Sequence, residues 1–110
     1  LEFNDNVDLA ILGFGIDGHF ASIFPCHLNV NKFIDIRNEP KILRTEEMGD
    51  PHVARLTLNL AAFSRIKNIS IICNSNEKYK VINDARNNAD LPIYHLLKLE
   101  YPNISIIKDF

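Results

Sequence analysis

Val7-Asp8-Leu9-Ala10-Ile11-Leu12-Gly13-Phe14-Gly15-Ile16-Asp17-Gly18-His19, continued by Phe20-Ala21-Ser22-Ile23-Phe24-Pro25, is the stretch that decides the fold. Residues 7–12 are apolar except for Asp8, the pattern of a parallel strand covered on both faces. Gly13, Gly15 and Gly18 follow, with Asp17 and His19 between and behind them, at the carboxyl end of that strand. In open α/β sheets this end is where ligands bind. Glycine there lets the backbone turn sharply and come close to a ligand.

Working outward, residues 20–24 allow one short helical turn, which Pro25 stops. Residues 26–54 lack clear periodicity, the mark of a functional loop rather than core. Within them Phe33-Ile34-Asp35-Ile36 reads as a short strand, and Asn38-Glu39-Pro40 and Gly49-Asp50-Pro51 as turns. Leu56-Thr57-Leu58 is short and extended, and Asn59 caps a helix that carries Leu60, Ala61, Phe63 and Ile66 on one side. Residues 69–73 form a second buried strand. Residues 77–87 form a helix with Tyr79, Ile82 and Ala85 inward. Asp90 caps a further helix to about residue 100, with Pro92 in its first turn, and residues 104–107 form a third strand. This alternation predicts an α/β fold, a mostly parallel open sheet flanked by helices. So few strands make a small sheet for that class, and the chain lacks an initiator Met. Residues 1–110 are therefore expected to be one partial domain that a second set of elements completes.

Composition narrows the function. The formal net charge of −2 gives no electrostatic reason to expect nucleic acid or an anionic membrane as partner. No apolar run approaches the roughly 18 residues of a spanning helix. Cys26 and Cys73 lie far apart and outside any metal-type pair, so they read as reduced thiols of a cytoplasmic protein.

The glycine loop has more than one reading. Gly13-x-Gly15-x-x-Gly18 matches dinucleotide-binding spacing after a strand, and Asp35 falls near the position of a ribose-binding acid. Against this, Pro25 leaves no room for the long helix whose dipole would hold a pyrophosphate. Asp17 would also repel that group. In the other reading Asp17 and His19 are the working groups. A histidine can take a proton from water, and a carboxylate beside it orients the ring and stabilises its charged form. Taken alone, an Asp-x-His pair more often caps a turn and fills a polar niche. Asp17, His19 and His27 are possible metal ligands, but nothing closes a coordination set, so no metal is expected.

The same residues carry a family likeness. Asp8-Leu-x-x-Leu-Gly-x-Gly-x-Asp-Gly-His-x-Ala-Ser-x-Phe-Pro25 resembles the signature of the 6-phosphogluconolactonases, within the glucosamine-6-phosphate isomerase/deaminase superfamily. Arg55-Leu-Thr-Leu-Asn, Asn76-Glu77-Lys78 and Leu91-Pro92 resemble later segments of that family in order and spacing. The resemblance implies a Rossmann-like sheet and hydrolysis of a phosphosugar lactone, 6-phospho-D-glucono-1,5-lactone, without metal or organic cofactor. It implies His19 as general base, Asp17 as its orienting partner, and Gly15, Gly18, Arg55 and Lys78 as substrate-binding residues. The deaminases carry a proton-transferring Glu where this chain has Phe24, which favours the lactonase. Family members are roughly twice as long, so the chain resembles their C-terminal half. Its expected partners are the missing N-terminal half or a fused dehydrogenase domain. Phosphate contact at Lys78 suits the first turn of a helix. Ser75 replaces the family's usual glycine. Arg55 would lie at the wrong end of a parallel strand, so residues 56–58 should run antiparallel or simply lead into the helix. His27 and His52 read as surface residues, and His95 as packing.

Overall fold

The computed structural model describes residues 3–110. Its centre is a three-stranded parallel sheet in the order β1 (Leu9–Leu12), β4 (Asn68–Cys73), β5 (Asn103–Lys108). Two short strands, β2 (Ile42–Arg44) and β3 (Leu56–Leu58), pair antiparallel outside this sheet, with Arg44 opposite Leu56. The antiparallel alternative for residues 56–58 is therefore the one realised, and it places Arg55 at the distal end of the hairpin.

Helices α2 (Leu60–Phe63), α3 (Asn76–Ala85) and α4 (Pro92–Leu97) connect the parallel strands. Register shows which residues share a face. Ala10 aligns with Ile69 and Ile104, and Leu12 with Ile71 and Ile106. On this side Ile69, Ile71 and Cys73 are fully buried and pack with Phe20, Phe63, Ile66, Ile82 and Ile93. The opposite side carries Leu9, Ile11, Ser70, Ser105 and Ile107. There Leu9 is 52% exposed and Ile11 65%, so the strand expected to be covered on both faces is covered on one. None of the described helices is long and apolar enough to cross a membrane.

Three local expectations change. Residues 20–24 form no helix, because Ala21 takes a left-handed φ of 49° and Phe20 bridges Phe14 and Ile23. Pro25 instead opens a 3-10 turn, Pro25–His27, where its fixed φ and missing N–H cost nothing. The expected strand over 33–36 is the end of a helical turn, α1 (Asn31–Ile34), with Phe33 buried. The last helix is capped by Leu91 rather than Asp90 and stops at Leu97.

Asn59 does more than cap α2. It is 1% exposed. Its Oδ1 accepts the N–H groups of Ala62 and Lys41, and its Nδ2 donates to the carbonyls of Lys32 and Glu39. One side chain thereby joins α2, the α1 segment and the lead into β2.

Candidate active site

The chain leaves β1 at Leu12 and folds into a tight loop held by its own backbone. Gly15 N–H donates to the His19 carbonyl at 2.9 Å, and Gly18 N–H to the Gly15 carbonyl at 2.9 Å. Gly18 is buried with φ of +84°, and a Cβ there would press on Leu91 at 2.8 Å. That conformation and that contact both require glycine. Ile93 N–H, in the first turn of α4, donates to the Gly18 carbonyl at 2.9 Å. The Leu91-Pro92 helix start thus braces the loop from below, a role its sequence did not reveal.

Within the loop Asp17 and His19 meet. Asp17 Oδ1 accepts the His19 backbone N–H at 3.0 Å and lies 2.5 Å from His19 Nδ1. A carboxylate facing Nδ1 fixes the tautomer: Nδ1 carries the proton and Nε2 keeps its lone pair. Among the described residues Nε2 has no hydrogen-bond partner. A Cβ on Gly15 would collide with the imidazole, so glycine there lets the ring lie against the backbone. One face of the ring is covered by Phe24, with centroids 4.5 Å apart and planes at 15°.

A cleft of about 460 Å³ opens beside this pair, lined by Ile11, Leu12, Gly13, Gly15, His19 and Lys78 among others. It sits at the carboxyl ends of β1 and β4, where parallel sheets place their ligands. Lys78 comes from the first turn of α3, and its Nζ stands 5.7 Å from the Phe14 ring centroid. Ser75, in place of the family's glycine, is the N-cap of that helix and accepts the Lys78 N–H at 3.1 Å. The substitution therefore steadies the turn that carries the lysine.

The structure brings Gly15, His19 and Lys78 into one cleft, with Asp17 behind His19 and Gly18 beneath the loop. Arg55 is not in that group. Its guanidinium donates to the Pro51 carbonyl at 2.6 Å and lies 6.0 Å from the Phe24 ring centroid, outside the residues that line the cleft.

Sequence reasoning missed His27. Expected at the surface, it is 2% exposed. Its ring stacks on Phe33 with centroids 4.1 Å apart. Nδ1 accepts the Phe24 N–H at 3.0 Å, and Nε2 faces Glu46 Oε1 at 3.2 Å. Glu46 lies below its usual range, chiefly through a backbone hydrogen bond and with help from His27. Burial, then Glu46, pushes the nearby Cys26 thiol up, which makes it a poor nucleophile at neutral pH. The only cue in the sequence was position, three residues after Phe24.

Comparison with known proteins agrees with this geometry. The chain matches the sequence profile of glucosamine-6-phosphate isomerases/6-phosphogluconolactonase over residues 2–101. A 6-phosphogluconolactonase of Thermotoga maritima is 33% identical over 91 residues, covering 82% of this chain and 38% of that protein. The crystal structure of 6-phosphogluconolactonase from Thermotoga maritima superposes with a TM-score of 0.70 at 28% identity, covering 96% of this chain and 44% of the other. A human GDH/6PGL endoplasmic bifunctional protein is 32% identical over 69 residues, 63% of this chain and 8% of that one. The chain thus spans less than half the length of the relatives it matches. A profile match over nearly all of its residues, on a parallel sheet that carries the Asp17–His19 loop at its ligand-binding end, establishes that the chain belongs to the glucosamine-6-phosphate isomerase/6-phosphogluconolactonase family.

Proposed function

We propose that the protein containing this chain hydrolyses 6-phospho-D-glucono-1,5-lactone to 6-phosphogluconate, in the cytoplasm and without a metal or organic cofactor. The observation that carries the reading is the Asp17–His19 pair, 2.5 Å apart, at the rim of a cleft that also holds Lys78. In this reading His19 Nε2 takes a proton from water as the water oxygen adds to the lactone carbonyl. The tetrahedral intermediate collapses, the ring C–O bond breaks, and the imidazolium returns a proton to the departing ring oxygen. Asp17 holds the ring and stabilises the imidazolium between these steps.

The N–H groups of Gly15, Gly18 and His19 are engaged inside the loop. They are therefore unsuited to polarise the carbonyl. Gly15 then serves by contact at the cleft wall and Gly18 by shaping the turn. Lys78 holds the phosphate, and Arg55 joins it once released from the Pro51 carbonyl. Phe24 supports hydrolysis over deamination, because a phenyl ring against His19 cannot relay a second proton along the sugar.

Completion of the site belongs to the same proposal. Residues 1–110 act as the C-terminal half of the domain, and an N-terminal half covers the sheet face that carries Leu9 and Ile11. A fused dehydrogenase domain is a further partner of the full-length protein, on the pattern that the human relative's name indicates.

Lactone hydrolysis by the full-length protein, followed against the spontaneous rate, tests the reading together with its phosphate contact. Lys78→Ala should raise KM about tenfold and leave kcat within about threefold, since a charge-assisted phosphate contact acts equally in ground and transition states. An unchanged KM would take Lys78 out of the substrate site.

A further inference from the structure

Four rings run from the cleft into the core. His19 stacks on Phe24 at 4.5 Å, Phe24 meets His27 edge-on at 6.2 Å, and His27 stacks on Phe33 at 4.1 Å. Exposure falls along this line, from a His19 side chain 33% exposed to His27 at 2% and Phe33 at 3%. A buried imidazole costs stability unless its nitrogens are satisfied. Here both are, and one of them is satisfied by the backbone of Phe24.

We propose that His27 is a positioning residue for His19, acting through Phe24. Asp17 holds one edge of the His19 ring, and a single hydrogen bond along an edge leaves the ring free to tilt about it. The plane is fixed only when a face is covered, and Phe24 covers it. Phe24 itself stands at the start of a 3-10 turn with extended backbone and no cap from its own side chain. Its N–H would be unpaired without His27 Nδ1. The His27 ring is in turn held by the Phe33 stack and by Glu46 at Nε2. Rigid support of this kind sets catalytic geometry, and a displacement of about 1 Å can lower a rate by up to about 100-fold.

A metal-site reading of the same residues is weaker. Cys26, His27 and Glu46 do offer ligand atoms within 4.8 Å of one another. However, a metal on Nε2 would leave the proton on Nδ1, which would then point at the Phe24 N–H, donor against donor.

The proposal rests on His19 being the base of the proposed hydrolysis, so its test has one readout that needs turnover and one that does not. Two variants of the full-length protein separate the hydrogen bond from the stack. His27→Asn places an oxygen near the Nδ1 position and loses the ring; His27→Phe keeps a ring on Phe33 and loses the acceptor. With His27→Phe, kcat should fall about tenfold at a KM within about twofold, as expected for a loss felt at the transition state. The upfield NMR shift that the Phe24 ring current imposes on the His19 ring protons should be lost as well. His27→Asn should keep both near wild type. The reverse pattern, with Asn impaired and Phe normal, would overturn the proposal and make His27 a packing residue. If no lactone turnover is found at all, the ring-current shift still decides the positioning. If His27→Phe does not fold, His27→Leu, which also removes the acceptor for the Phe24 N–H, carries the test: loss of the ring-current shift on His19 supports the proposal, and a wild-type shift overturns it.

Discussion

Replacing His19 by alanine is expected to lower kcat for the lactone by about 1,000-fold while KM stays within a few-fold, the usual loss when a general base is removed. The size follows from the site. Lys78 also lines the cleft, and in the proposed reading it holds the substrate and does not activate water. Among the described residues that line the cleft, His19 is the only side chain with a nitrogen lone pair placed to accept a proton from water. Asp17→Asn should cost less, about 100-fold, because the base remains but its tautomer and orientation are no longer fixed. Stopped-flow hydrolysis with thermal melting as a control for folding checks both. Wild-type turnover in His19→Ala would mean that water is activated elsewhere.

The second large effect concerns stability. Asn59→Ala should lower the unfolding free energy by about 3 kcal/mol in urea titration, from hydrogen bonds worth roughly 1 kcal/mol each that a single buried side chain makes to three segments. The Lys41 N–H and the Lys32 and Glu39 carbonyls lose this partner at once, and the Ala62 N–H keeps only its bond to the residue 59 backbone carbonyl at 3.1 Å. An ordinary helix cap is worth about 1 kcal/mol, so the measurement separates a cap from a node. Asn59→Asp should fail as a rescue, because its oxygens would face the Lys32 and Glu39 carbonyls. A loss under about 1 kcal/mol would show that these segments find other partners.

What could be read in the sequence was whatever depends on local pattern. The apolar runs at β1, β4 and β5 gave a parallel sheet, and the glycine loop gave the ligand-binding end of it. Asp17 and His19, two residues apart on a turn, could be paired on paper because a tight loop leaves few alternatives. What could not be read depends on distant contacts. His27 is buried because Phe33 and Glu46 come to it from other segments, and no local signal separates it from a surface histidine. Asn59 announces a cap, whereas its bonds to Lys41, Lys32 and Glu39 exist only once the 26–54 segment has folded back. Pro25 reads as a stop in the sequence and is a start in the fold; both uses follow from the same fixed φ, and Ala21 in a left-handed turn decides between them. The open face at Leu9 and Ile11 is a fourth case. Their apolar character was legible, but whether this chain itself covers them was not.

Phe24 also sharpens the division within the family. It occupies the position where the resemblance puts a proton-transferring Glu in the deaminases, and it lies flat on the His19 ring. Reinstating a carboxylate there would remove the ring that holds His19 in plane, so a single substitution should not convert one chemistry into the other.

The most direct measurement offers both chemistries to the full-length protein under one set of conditions. Consumption of 6-phospho-D-glucono-1,5-lactone is followed above its spontaneous hydrolysis, and ammonia release is followed from glucosamine 6-phosphate. Lactone turnover without ammonia is the predicted result. Ammonia release, or lactone loss no faster than in buffer, would contradict it.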